Sequence, residues 1–399
     1  MTTKLYYQSA YTKTFEASVL KQDQDEQGVY IVLDQTVFYP TGGGQPSDTG
    51  LLNNQTITQV EEVEGEIRHY LEGALPRDVH TISGEINWSR RFDHMQQHTG
   101  QHILSAAFAE LFGYETVGFH LGTDEVTIDL AIDELTKEKA DQAVELANQI
   151  IAENRGIETK WVSEEEAASY PLRKKLSVSG DIRLVIIPDF DYNGCGGTHP
   201  KQTLEVQGIS IIGWEKQRKN IRVSFVCGNR IVELFNKQNE VLKQLAQVLH
   251  APMEKLPHAA TNLLSRQQRT DKENVELKQE LLTYEASELT NLSETVSNKP
   301  FVFQSFQDRP IKDMQQLARM IVDKKGNGIV FLVSESADKR QLVLACGQEL
   351  EDMNASVLLK ELLTEIDGRG GGNQTLAQGG GKKNGSVEYL VERIKRRIM

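Results

Sequence analysis

Two short cassettes, His98-Thr99-Gly100-Gln101-His102 and Cys195-Gly196-Gly197-Thr198-His199, lie almost a hundred residues apart. Each offers two metal donors four positions apart, and together they form a four-donor set that zinc accepts. Zinc binds Cys sulfur at about 2.3 Å and His nitrogen at about 2.0–2.1 Å. A shared ion would oblige distant parts of the chain to meet at one point, and few folds satisfy that.

The rest of the composition is that of an ordinary globular protein. Its 399 residues are 39% hydrophobic and 25% charged, enough for two or three domains with real cores. The first residues lack the apolar stretch of a secretory signal. No run approaches the roughly 18 apolar residues of a spanning helix, so no membrane partner is expected. The three cysteines, Cys195, Cys227 and Cys346, are odd and sparse, which fits a reducing, cytoplasmic setting. A net charge of −13 argues weakly against nucleic acid, but counterion release needs local cations rather than a basic total. Such clusters occur at Arg90-Arg91, Arg173-Lys174-Lys175, Lys216-Gln217-Arg218-Lys219 and Arg393-Ile394-Lys395-Arg396-Arg397. Taken alone, each reads as a solvated face.

The fold class expected is α+β. From Leu5 to about Asn87, short alternating runs between turn clusters at Asp23–Gly28, Thr41–Gly44 and Asn53-Asn54 predict a mostly antiparallel, barrel-like β unit. A helix is predicted from about Phe92 to Phe112, ended by Gly113. Strands follow at Thr116–Leu121 and Val126–Leu130, a helix at about Thr136–Asn154, a buried strand at Ile182–Ile187, and a hairpin of Ile209–Trp214 with Ile221–Cys227. Cys195 and His199 fall in a glycine-rich loop. Residues 229–295 read as two helices broken at Pro252 and Pro257. Their apolar stripe, including Val275, Leu282 and Leu289 at seven-residue spacing, calls for a partner: the first helix of the pair, or a second copy in a homodimer.

The last hundred residues alternate strand and helix. Between two helices lies a segment from Gly368 to Gly381 that includes Arg369, Gly370, Gly371 and Gly372. Its glycine content predicts a loop whose backbone amides approach an anion. The implied domains are 1–90, 91–228, 229–295 and 296–399: a barrel-like unit, an α+β domain, a helical linker and an α/β domain.

The first cassette carries an ambiguity. His94 also precedes His98 by four residues, giving two overlapping pairs on one helix face. At about 1.5 Å per residue, His94 and His102 are roughly 12 Å apart along the axis and cannot easily share an ion. Ile103, Leu104, Ala106 and Ala107 place His102 in the apolar part of the helix, whereas His94 sits among Arg90, Arg91 and Asp93. The flanks therefore favour His98 with His102. Cys195 and His199 complete the set, with one Zn2+ per chain expected, and Cys227 and Cys346 end apolar strands as inert thiols. Four protein donors describe a closed, organising ion; if Cys195 is not bound, the ion keeps a position open for water or substrate.

The cassettes, in this order, resemble those of the alanyl-tRNA synthetase editing domain and the free-standing AlaX deacylases. Phe38–Gly50, with Gly42-Gly43-Gly44-Gln45, is similar to the family's glycine-rich loop, and Val117–Gly122 falls where a pocket strand is expected. Family register also selects His98 and His102. The C-terminal glycine segment resembles the terminal domain that alanyl-tRNA synthetase shares with DHH-type phosphoesterases and that is associated with tRNA contact.

The resemblance implies a long AlaX protein without an aminoacylation core, hydrolysing Ser-tRNA(Ala), with Gly-tRNA(Ala) a second candidate substrate, and with tRNA(Ala) as partner. It implies catalysis at His98, His102, Cys195 and His199 through zinc, with His120 and Gln45 as candidate substrate contacts. Gly42, Gly43 and Gly44 would approach the aminoacyl end, and Arg369 with Gly370–Gly372 would contact tRNA. Two rivals remain. A DHH-type phosphoesterase needs an Asp-His-His triplet, but here Asp93-His94 is followed by Met95. A non-catalytic tRNA-binding protein with structural zinc would carry the same donors.

Overall fold

A computed structural model describes residues 2–76, 78–174 and 180–399. The chain divides into two compact units, Met1–Leu245 and Ala246–Met399, and the architecture is α+β. Among the described residues, no helix is long and apolar enough to cross a membrane.

The first unit opens with a closed barrel of β1 (Thr14–Asp25), β2 (Gly28–Leu33), β3 (Gly50–Leu52), β4 (Gln55–Val63), β5 (Glu66–Leu71) and β6 (Thr81–Ile86), in the order β1-β2-β5-β4-β3-β6. Alternation makes the wall: Ile82, Gly84 and Ile86 point inward while Thr81, Ser83 and Glu85 face water. Ile31, Leu33, Phe38, Leu52 and Ile57 fill the interior.

Helix α1 (Trp88–Phe112) leaves the barrel. It starts four residues before the expected Phe92 because Asn87 accepts the Arg90 amide as N-cap, and it ends on left-handed Gly113 at φ 68. The helix packs on an antiparallel sheet of β7 (Thr116–Leu121), β8 (Val126–Leu130), β12 (Ile209–Gln217) and β13 (Asn220–Cys227), ordered β12-β13-β8-β7. Helix α2 (Lys137–Ala152) adds Ala143, Ala147, Ile150 and Ile151 to that core. Gly100 allows the close approach: a Cβ there would lie 2.1 Å from Cys227 Sγ. A second sheet joins β9 (Glu158–Val162), β10 (Ile182–Ile187) and β11 (Asp191–Gly194). The stretch before Cys195, expected as loop, is thus partly strand, because Asp191–Gly194 pairs back on β10.

Helix α3 (Asn229–Leu249) contains the division between the units, and α4 (Leu256–Asn291) follows with Pro257 in its first turn, a position proline tolerates. The second unit is a six-stranded mixed sheet of β14 (Glu294–Val296), β15 (Lys299–Gln307), β16 (Ile329–Glu335), β17 (Lys339–Cys346), β18 (Arg369–Gly372) and β19 (Leu376–Lys382), ordered β14-β15-β16-β17-β19-β18. Helix α5 (Ile311–Lys324) crosses between parallel β15 and β16, while α6 (Ala355–Glu365) and α7 (Val387–Ile398) flank the other face. Val330 and Leu332 meet α4 and α5, and Ile329, Phe331 and Val333 meet α6 and α7. Cover on both faces explains the uninterrupted apolar run.

Three expectations change here. Leu282 and Leu289 are buried against Met314, Leu317 and Ile321 of α5, within the second unit, and Val275 is exposed. Seven-residue spacing suits any long helix contact, so it did not specify a hairpin mate or a second chain. The glycine segment is a hairpin of β18 and β19, not a loop. Its glycines admit α6: a Cβ on Gly379 would lie 2.6 Å, and on Gly370 2.8 Å, from Leu363 Cδ1. Two basic clusters are not solvated faces. Arg91 is buried on Asp48, and Arg173 is largely buried on Asp191; Lys175 of that cluster lies outside the described residues. In α7, Arg393, Lys395 and Arg397 pair with Glu365, Glu294 and Glu361.

The barrel also encloses a titratable group. His69 Nδ1 donates to the Ile31 carbonyl at 3.2 Å and Nε2 accepts from the Thr36 hydroxyl at 2.8 Å; burial pushes its pKa down to about 4. Since the unfolded chain binds this proton near pH 6.5, stability is complete above that pH and falls as pH drops towards 4. At about 1.4 kcal/mol per pKa unit, the loss reaches about 3 kcal/mol. Thermal unfolding across pH 7 to 4 should show this decline, and His69→Gln should make it shallower; an unchanged slope would exclude His69 as a source.

Candidate metal centre

Helix α1 is buried nearly all round from His94 to Phe108 despite its polar sequence. Buried polar groups usually find partners, and among the described residues most on this helix do so across the unit, His94 Nδ1 and Gln96 Oε1 excepted. Gln97 exchanges two hydrogen bonds with the Cys227 backbone, at 2.9 and 3.0 Å, and Gln96 donates to the Glu205 carbonyl at 2.8 Å. These bonds fix the helix rotation, and the rotation aims His98 and His102.

One donor atom from each of His98, His102, Cys195 and His199 lies within 4.8 Å of the others. Cys195 Sγ is 3.4 Å from both His98 Nε2 and His199 Nε2. Ligand lengths of about 2.0–2.3 Å around a tetrahedral ion give neighbouring ligands roughly 3.5 Å apart. The group could therefore hold a metal ion, and its donor chemistry is compatible with zinc. His94 is buried elsewhere on the helix and does not join the group.

The other ring nitrogens are held from behind. His98 Nδ1 donates to Gln45 Oε1 at 2.9 Å, His102 Nδ1 to Asp191 Oδ2 at 2.9 Å, and His199 Nδ1 to Thr99 Oγ1 at 2.7 Å. The Gln45 and Asp191 oxygens only accept, which puts a proton on Nδ1 of His98 and His102 and turns their Nε2 atoms to the ion site; the Thr99 hydroxyl does the same for His199 when it accepts. Electrostatics favour a thiolate beside these rings. Burial favours the neutral Cys195 thiol, but His98, His199 and His102 outweigh it and hold the thiol well below its usual range. Burial opposes charge on His102 too, yet Asp191 and Cys195 raise it to about 9, so without an ion its Nε2 also holds a proton near neutral pH, which a bound metal ion would displace; burial takes His199 down to about 3. Burial pushes the Cys227 and Cys346 thiols up, away from reactivity.

Glycine brings the cassettes together. A Cβ on Gly197 would lie 2.3 Å from His98 Cε1, so only glycine lets this loop reach the helix. Arg183 Nη1 then donates to the Cys195 and Gly197 carbonyls at 2.8 and 2.9 Å, clamping the loop. The barrel contributes a tight turn in which Gly42 and Gln45 exchange backbone hydrogen bonds. Gly43 and Gly44 occupy φ 58 and 81, where non-glycine residues are strained.

His98, His102 and Cys195 line a cavity of about 510 Å³ together with Gly43, Gln101, Thr116–Phe119, Trp161 and others. Gly43 is the residue of the 42–44 turn that reaches this lining. Gln45 is buried behind His98, where Oε1 also accepts the Thr198 amide at 3.1 Å. His120 is exposed on β7, outside the lining. Arg369 and Gly370–Gly372 lie exposed on strand β18 of the second unit. Sequence reading gave no place at the site to Asp191, Thr99, Arg183, Gln101 or Trp161, and met Arg173 only as part of a basic cluster. The available signal was polar residues inside or just before a metal cassette, as with Thr99 and Asp191, since imidazole ligands require a partner behind them.

Comparisons with known proteins follow the same layout. Residues 2–90, which include the barrel, match the family described as tRNA synthetases class II (A). Residues 182–223 match the threonyl and alanyl tRNA synthetase second additional domain, and residues 298–399 match the DHHA1 domain. The alanyl-tRNA editing protein AlaX-L of Pyrococcus horikoshii is 32% identical over 95% of this chain and 94% of its own length. The chain belongs to this family of long AlaX-type alanyl-tRNA editing proteins. The alanine–tRNA ligase of Pyrococcus abyssi is 34% identical over 98% of this chain but 43% of the ligase, and that of Pyrococcus furiosus is 32% identical over 99% and 43%. The chain thus spans under half the length of these ligases.

Purified protein is expected to retain zinc, measured by inductively coupled plasma mass spectrometry, and His102→Ala to lose it. Gln45→Ala and Asp191→Asn, which leave all four donors, should weaken zinc binding about 10- to 100-fold in chelator competition. Wild-type affinity in both would show that these partners do not orient the rings.

Proposed function

We propose that this protein is an aminoacyl-tRNA deacylase that hydrolyses the ester of mischarged Ser-tRNA(Ala), with Gly-tRNA(Ala) a second substrate. The observation that carries this reading is the convergence of His98, His102, Cys195 and His199 beside an open cavity, in a chain of the alanyl-tRNA editing family.

Zinc held by these residues would supply fixed positive charge beside the ester carbonyl and a means of activating water. The chain's own groups do the rest. Gln45, Asp191 and Thr99 hold the three imidazoles in one tautomer, and Arg183 keeps the Cys195 loop in place. Gln101, Thr116 and Asn193 put polar groups on a wall that also carries Val117, Phe119 and Ile182. A synthetase pocket for alanine rejects serine poorly because the two differ by a hydroxyl, whereas a second site can use that hydroxyl as a handle. In this reading the barrel of residues 1–90 supplies the Gly42–Gly44 turn, residues 91–228 the metal, residues 229–295 a helical linker, and residues 296–399 the tRNA contact through Arg369 and Gly370–Gly372.

The closed four-donor set also supports a second reading, a non-catalytic tRNA-binding protein with structural zinc. One assay separates them. Ser-tRNA(Ala) should be deacylated much faster than Ala-tRNA(Ala) or Ser-tRNA(Ser), and His102→Ala should lose that activity. No deacylation by zinc-loaded protein would favour the second reading, and full activity in His102→Ala would remove the metal from the chemistry.

A further inference from the structure

Arg183 is buried, at 8% exposed, and among the described residues it forms no ion pair with a carboxylate. A guanidinium taken out of water needs both its charge and its donors satisfied. Its Nη1 is engaged by the Cys195 and Gly197 carbonyls at 2.8 and 2.9 Å, the clamp on the metal loop. What faces the charge is an aromatic ring: the guanidinium lies 4.9 Å from the ring centre of Tyr7. At that distance the negative face of a ring attracts a cation, and the attraction grows as water is excluded.

Tyr7 comes to the loop from the start of the chain, on one helical turn, Leu5–Gln8, ahead of the barrel. Thr3 and Lys4 pair in parallel with Gln35 and Thr36, Tyr6 is buried in the barrel core, and the Ala10 carbonyl accepts from Arg91 Nη1 at 2.9 Å. The turn is thus tied down before and after Tyr7. The ring itself is held edge-on by Tyr6, at 4.6 Å between centres, and by Trp161, at 5.6 Å. Trp161 is in turn the register partner of Arg183 across the β9–β10 pair, so ring, indole and guanidinium pack as one group. The Tyr7 hydroxyl lies 3.4 Å from where a Cβ on Gly196 would sit, which brings the residue against the metal loop as well as against its clamp.

We propose that Tyr7 is a positioning residue for the second metal cassette: its ring face takes the Arg183 charge and so holds the Cys195–His199 loop in place against α1. The barrel then holds this cassette at two points, Gln45 on the Thr198 amide and Tyr7 on the Arg183 clamp. The proposal rests on the metal reading only for what the loop is positioned to do. An aromatic ring is required rather than bulk, because an aliphatic side chain of similar volume offers a cation no negative face.

The test is amide hydrogen exchange of the full chain as purified, read by mass spectrometry on the peptide covering 195–199. The Cys195 amide donates to the Arg183 carbonyl at 2.9 Å and the Thr198 amide to Gln45 Oε1 at 3.1 Å, so exchange there reports release of the loop. Tyr7→Leu should speed it about 2- to 30-fold, the range for losing one cation–π contact, and leave barrel strand β2 unchanged. Tyr7→Phe should keep the wild-type rate. Arg183→Met should loosen the same peptide, and Tyr7→Leu should add nothing in that background. Zinc affinity in chelator competition should fall in Tyr7→Leu and hold in Tyr7→Phe. Unchanged exchange in Tyr7→Leu, equal acceleration in Tyr7→Phe, acceleration shared by β2, or additivity with Arg183→Met would each overturn the proposal. The expected exchange pattern in a wild type that binds no zinc would keep the proposal and remove the metal reading. Zinc bound by wild type, with exchange indifferent to Tyr7, would do the reverse.

Discussion

The candidate metal centre depends on one buried amide. Gln45 accepts from His98 Nδ1 and from the Thr198 backbone through Oε1, and donates to the Thr198 hydroxyl at 2.9 Å through Nε2. A single side chain from the barrel turn therefore holds both metal cassettes. The turn is itself anchored by Asp48, which takes the buried Arg91 guanidinium and the Tyr39 amide. Arg91 also donates to the Ala10 and Val37 carbonyls, so the pair satisfies its hydrogen bonds after leaving water. Such pairs add little net stability, yet deleting one partner costs about 3–5 kcal/mol because a buried charge is left alone. Their use here is positional: they tie the barrel to the helix that carries His98 and His102.

A second constraint is that α1 is polar and buried at once. Gln96, Gln97 and Thr99 are shut off from water and Gln101 touches only the cavity, and each makes a bond to a neighbour on β13, the Glu205 turn, the Cys195 loop or the helix itself. A helix held on several sides has little freedom to rotate. That rigidity lets three imidazoles and a thiol converge, and like-with-like burial of apolar side chains would not specify it so closely.

Legibility in the sequence followed the strength of local signals. The strands Thr116–Leu121, Val126–Leu130 and Ile182–Ile187 emerge as expected, since alternation or a short apolar run bounded by Gly or Pro is a local property. The glycine hairpin of β18 and β19 was illegible because glycine carries neither polarity nor propensity for a strand; α6 lying over it supplies the reason for both. Arg91 and Arg173 looked solvated because their carboxylates, Asp48 and Asp191, lie 43 and 18 residues away. Leu282 and Leu289 showed a stripe without showing what covers it.

By itself, the sequence determined the α+β class, the glycine positions, and the four donors with their pairing on a helix turn and a tight loop. Those follow from spacing, since residues four apart on a helix share a face whatever surrounds them. Only the tertiary structure decided that Gln45 stands behind His98 rather than in the cavity, that Asp191 and Thr99 stand behind the other rings, and that Trp161 and Arg173 line the cavity. These are contacts between segments distant in the chain, set by how the barrel, α1 and two sheets pack, and no local spacing encodes them.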